Sequence, residues 1–95
     1  MLSADDDLMW QRCLDAVRER LDPANKDLFL GDVSFGEDYG ALAIGMDALA
    51  LRGKSIPIDL LSWLDAYIGD ASDTGADYTF RRAINAMKAK ADAVA

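Results

Sequence analysis

Phe35-Gly-Glu-Asp-Tyr-Gly-Ala-Leu-Ala-Ile-Gly-Met-Asp-Ala-Leu-Ala-Leu-Arg-Gly-Lys-Ser-Ile-Pro-Ile58 is the stretch on which the fold turns. Tyr39, Leu42, Ala43, Met46, Leu49 and Ala50 recur at the three-and-four spacing of one helix face, which predicts a helix over about 37–52. Gly53 is its natural stop. Ser55-Ile56-Pro57 then opens a further helix, because proline is already set for a first helical position. A rival pattern exists. Val33-Ser-Phe35 and Ala41-Leu-Ala-Ile-Gly45 alternate as two strands of a hairpin would, giving an α+β fold with a hairpin at 33–45. The helix is preferred because Ala, Leu and Met are strong helix formers and the stripe continues to Leu49. Gly40 and Gly45 each cost such a helix about 1 kcal/mol against Ala, and a small residue there lets a neighbouring helix approach.

Upstream, Ser3 followed by Asp5, Asp6 and Asp7 reads as a helix start, with acids complementing the positive helix end. Trp10, Cys13, Leu14, Val17 and Leu21 make the apolar stripe of a helix over about 4–21. Arg12, Arg18 and Glu19 lie off that stripe. Asp22-Pro23 opens a short helix over about 23–30, burying Leu28 and either Phe29 or Leu30, with Gly31 as its stop. Val33 and Phe35 are expected to tuck onto the core from the link that follows. Downstream, Leu60, Leu61, Leu64, Tyr67 and Ile68 line a fourth helix. Residues 69–76 form a loop of Gly, Asp, Ala, Ser and Thr. A fifth helix spans about 77–93, with Phe80, Ile84, Met87, Ala91 and Val94 on one side and four bases on the others. The expectation is one all-α domain, residues 1–95, a bundle of about five helices.

At 95 residues and 52% hydrophobic, the chain has enough apolar mass for a single core. The net charge of −7 is unevenly spread. Residues 1–26 carry six acids and four bases, a net of −2. Residues 27–77 carry ten acids against Arg52 and Lys54, a net of −8. Residues 78–95 carry Asp92 against Arg81, Arg82, Lys88 and Lys90, a net of +3. A negative field of this kind repels nucleic acid and attracts basic partners, or simply keeps the chain soluble. No apolar run approaches the ~20 residues of a membrane span. The acidic start is unlike a secretory signal, and the lone Cys13 fits a reducing compartment, so a cytoplasmic protein is expected.

The chemistry of most enzymes is missing. There is no His, the commonest general base and a common metal ligand. Cys13 sits on an apolar stripe with no base to activate it, so a buried structural thiol is the better reading. Asp70, Asp73 and Asp77 do not have the spacing of a calcium loop. The glycines form no phosphate cradle. Glu37 with Asp38 or Asp47 could only formally pair as catalytic carboxylates, because adjacent surface acids are normally solvated. No enzyme, cofactor or metal is expected.

Gly36-Glu37-Asp38-Tyr39-Gly40-Ala41-Leu42-Ala43, then Asp47-Ala48-Leu49, then Ile56-Pro57-Ile58-Asp59 and Leu64, resembles the MafI-type immunity proteins. These are small acidic helical antitoxins of bacterial polymorphic and contact-dependent toxin systems. The likeness covers about residues 28–68. Asp38 is an insertion relative to the family pattern, Ile44 stands where Glu is usual, and the closing helix is longer and more basic. The resemblance implies binding, with no nucleic acid or membrane as partner. The protein partner would be the basic toxic domain of a secreted effector, often a nuclease, whose cleft the acids would fill as a phosphate mimic.

Glu37 and Asp38 come from the matched motif as partner-binding residues. Asp47, Asp59, Asp65 and Asp70 join them for their charge. Trp63, off the stripe of its helix, joins them as an aromatic anchor, although it could equally cover the edge of the core. A second, local likeness joins Trp10-Gln-Arg-Cys-Leu14 and Leu28-Phe29 to the amino-terminal domain of the replication initiator DnaA, a partner-binding module that requires strands in 33–45. A phage-encoded DNA mimic that blocks a host nuclease would share the same acidic field.

Overall fold

Five helices follow one another in the computed structural model, which describes residues 4–69 and 75–94. They are α1 (Ala4–Arg20), α2 (Pro23–Ser34), α3 (Asp38–Leu51), α4 (Ile58–Ile68) and α5 (Gly75–Val94). No strand occurs among the described residues, so the hairpin at 33–45 is excluded: that span is the end of α2, a turn, and the first half of α3. The structural condition for the DnaA-like reading goes with it.

The helix signals explain most boundaries. Pro23 sits at the start of α2, and Asp22 before it is extended, at φ −68° and ψ 162°. Asp22 accepts a hydrogen bond from the Asn25 side chain, which holds its carboxyl below the usual range. At the end of α3, Gly53 adopts φ 69°, and its N–H reaches the Ala50 carbonyl while Lys54 N–H reaches that of Leu49. This is a Schellman closure, in which the left-handed residue lets two terminal carbonyls find donors.

Helix α2 corrects the expected boundary. It passes Gly31 and closes in the same way at Gly36, where φ is 78°. Gly36 N–H donates to Val33 and Glu37 N–H to Asp32. The extension changes what is buried. Val33 packs against the core, but Phe35, expected beside it, is the residue that caps α2 just before Gly36 and is 84% exposed. Phe29 faces inward, so Leu28, about 100° round the helix, faces outward and is 68% exposed.

Contacts fix the directions. Tyr39 of α3 meets Asp77 of α5, Asp47 meets Arg82, and Gly53 lies by Lys90, so α3 and α5 run side by side in the same sense. Trp10 meets Tyr39, and Lys54 Nζ reaches the Arg20 carbonyl, so α1 shares that sense. The short connections bring α2 and α4 back the other way. The result is up-down-up-down-up, with α3 packed against α1, α2 and α5. Among the described residues the buried set is wholly apolar; Val17, Leu42, Met46, Leu61, Leu64, Phe80, Ile84 and Met87 form its centre.

Gly45 is where α3 lets its neighbours in. A Cβ there would fall 2.6 Å from Val17 Cγ1 of α1 and 3.3 Å from Phe29 Cδ2 of α2. Gly40, one turn earlier, would meet nothing within 4 Å. Only one of the two glycines therefore serves close approach. Among the described residues no helix is long and apolar enough to cross a membrane.

Candidate protein-binding surface

The topology gathers the starts of α1, α3 and α5 at one end of the bundle, with the ends of α2 and α4. The first turns there carry Asp5, Asp6 and Asp7 on α1, Asp38 on α3 and Asp77 on α5. Glu37 precedes α3 and is exposed. None of these first turns contains Lys or Arg. Acids at helix starts complement the helix dipole, by about 0.3–1 kcal/mol each, so their placement has a folding reason before any functional one.

The acids on the flanks of the bundle are held differently. Asp47 of α3 takes two hydrogen bonds from Arg82, at 3.2 and 2.9 Å. Asp65 of α4 pairs with Lys88 at 2.8 Å and with Arg81. Lys88, then Arg81, holds the Asp65 carboxyl below the usual carboxylate range. Arg81 also donates to the backbone carbonyls of Asp65 and Gly69, closing the end of α4. The basic C-terminal segment is thus folded onto the acidic middle segment, and two of the acids chosen for a partner are committed inside the fold.

The remaining predicted residues separate. Asp59 is exposed on a groove of about 310 Å³ between α1 and α4, shared with Arg12, Asp15, Glu19 and Arg20. Its charge, after burial itself, helps push the Cys13 thiol up to about 12, and Cys13 is fully buried. That thiol stays protonated near neutrality and is inert as a nucleophile. Asp70 lies outside the described residues. Glu37 and Asp38 stand together at the acidic end, and Glu37, Asp38 and Asp59 have no basic ion-pair partner among the described residues. Among the described residues no group of three or more Cys, Asp or Glu side chains converges as a metal would require.

Trp63 leads to what the sequence reading missed. It is half-buried and stacks on Tyr67, centroids 5.0 Å apart and planes at 16°. Tyr67 abuts Trp10 at 5.8 Å, and Trp10 stacks on Tyr39 at 6.1 Å and 13°. Four rings from α3, α1 and α4 thus form a row at the acidic end, with buried Phe80 behind it against Trp10 and Tyr39. Tyr39 and Tyr67, both read as core, are 36% and 41% exposed. The Tyr39 hydroxyl donates to Asp77, and burial, then this bond, pushes its pKa up to about 12, so it remains a donor. The spacing of Trp63 and Tyr67, four apart on one helix, was the available signal. The other two rings arrive through the topology.

Comparison with known protein families, with curated proteins and with solved structures finds no match.

Proposed function

We propose that this chain binds and neutralises a basic protein partner, as an immunity protein does its cognate toxin domain. The observation that carries the reading is the segregation of charge. Glu37 and Asp38, without a basic ion-pair partner among the described residues, stand at the end of the bundle where α1, α3 and α5 begin, while Asp47 and Asp65 are paired with bases of α5. An acidic end set beside aromatic side chains suits a protein interface better than a solvating shell, because aromatic residues supply most of the binding energy at interfaces and charge supplies the approach rate. The resemblance of residues 28–68 to MafI-type immunity proteins supports the same class of partner. A nuclease domain with a phosphate-binding cleft matches the sign of the field.

The test is a pull-down from the native host with the purified protein as bait, followed by an activity assay on what is retained. Recovery of the basic C-terminal domain of a secreted effector, with its toxicity abolished by stoichiometric bait, is the expected result. Recovery of replication proteins, or of a host nuclease encoded away from this gene, overturns the immunity reading.

A further inference from the structure

We infer that the ring row Tyr39–Trp10–Tyr67–Trp63 is the docking surface, and that its occupant is an arginine-bearing segment of the partner protein. The inference rests on the reading of this chain as an acidic binder and adds where binding occurs and what it recognises.

The first argument is the cost of leaving these rings at the surface. A small domain gains most by burying its aromatic residues, yet Tyr39 and Tyr67 stay over a third exposed, and Trp10 and Trp63 half-buried. Stacking holds the row in one arrangement, with buried Phe80 fixing Tyr39 and Trp10 from below. Rings that are already ordered lose little entropy on binding, which suits an anchor.

The second argument is charge. Asp77 touches the row through the Tyr39 hydroxyl, and Asp38 and Glu37 directly precede Tyr39. Asp6 and Asp7 stand about one turn before Trp10. Carboxylates beside π faces make a site for a cation, and a guanidinium fits better than an ammonium because it is planar, stacks, and pairs with carboxylates in a fork. The molecule already contains one such arrangement: Arg82 lies 5.7 Å from the Tyr78 ring centroid while bonding to the Asp47 carboxylate. The row has rings and carboxylates in the same setting, and among the described residues no arginine lies over any of its four rings.

The probe is a capped peptide, acetyl-Gly-Arg-Gly-Arg-Gly-amide, against its lysine counterpart, titrated into the ¹⁵N-labelled protein. The chain has two tryptophans, so the two indole N–H signals report on the row directly. The expected result is a saturable shift of both indoles, several-fold weaker with the lysine peptide. Tyr67→Ala should weaken arginine-peptide binding about tenfold, the size of a hot-spot loss. Glu37→Gln with Asp38→Asn should weaken it less and flatten its salt dependence. If Tyr67→Ala is misfolded by circular dichroism, Trp63→Leu, followed through the Trp10 indole, takes its place. Unmoved indoles at millimolar peptide, equal affinity for the two peptides, or shifts centred instead on the exposed apolar side chains Leu28, Ile44 and Leu51 each overturn the inference. The two proposals fail separately. Indole shifts without a toxin in the pull-down leave this surface standing and remove the immunity reading. A captured toxin whose binding ignores the Tyr67 substitution does the reverse.

Discussion

The flanks of the bundle and its acidic end draw on the same stretch of sequence and use it in opposite ways. On the flanks, Asp47 and Asp65 are tied to Arg82, Arg81 and Lys88, and Gly45 lets α1 and α2 close on α3. At the end, Glu37 and Asp38 are without a basic ion-pair partner among the described residues, Gly40 meets nothing, and aromatic rings stay partly exposed. Local composition does not distinguish an acid that holds the fold from one that faces outward. The position of α5 does, because it brings Arg81, Arg82 and Lys88 to α3 and α4.

Four variants sharpen or break this contrast. The largest effect is expected of Gly45→Ala. Its methyl would press on Val17 Cγ1, a stiff branched side chain, and on the Phe29 ring, for a loss of about 1–3 kcal/mol in urea unfolding. An unchanged midpoint would mean that α1 and α2 can move away freely, and the close approach would lose its meaning. Asp65→Asn comes next, at about 1–2 kcal/mol, between the values for exposed and buried pairs. Its pH dependence has a definite sign. The folded carboxyl titrates below its unfolded value, so its contribution is present above the ordinary carboxylate range and is lost as pH falls through the lower folded value. Acid unfolding below about pH 4 should therefore be shallower in Asp65→Asn than in the wild type; parallel acid limbs would remove Asp65 from the account.

Glu37→Gln combined with Asp38→Asn should cost at most about 1 kcal/mol, the helix-start contribution of the two acids, and slow association with the captured partner several-fold at low salt, the difference shrinking as salt rises. A loss of stability comparable to Asp65→Asn, with association unchanged, would erase the distinction between the two regions. The smallest effect is a gain. Gly40→Ala is expected to raise stability by up to about 1 kcal/mol, since the added methyl meets nothing and the unfolded chain loses freedom.

Much of the fold was legible because its signals are local. Asp22-Pro23, Gly53 and Ser55-Ile56-Pro57 mark boundaries through the backbone preferences of single residues, and the stripes of α1, α3, α4 and α5 repeat within a few turns. Gly31 misled because a glycine permits a left-handed closure without requiring one; Gly36, five residues later, offers the same freedom and is used. Phe35 has only its hydrophobicity to place it in the core, and the turn that closes α2 decides otherwise; Tyr39 has the right spacing but stands at the very start of its stripe, where the core ends. The candidate surface was harder to read. Glu37, Asp38 and Trp63 could be chosen from charge and phase. Their companions Trp10, Tyr39 and Tyr67 look like ordinary stripe residues until three helices are set side by side. The pairing of Asp47 with Arg82, 35 residues apart, has no local signature at all.

Cys13 gives the molecule a clock. It is the chain's single thiol, wholly shielded between α1 and its neighbours. A thiol reagent added to the native protein reacts only when the bundle opens, so the labelling rate counts excursions from the folded state without any denaturant. A partner seated on the rings lies one helical turn away, across Trp10, and by binding only the closed form it should lengthen the interval between those openings by a factor of one plus the ratio of free partner concentration to Kd.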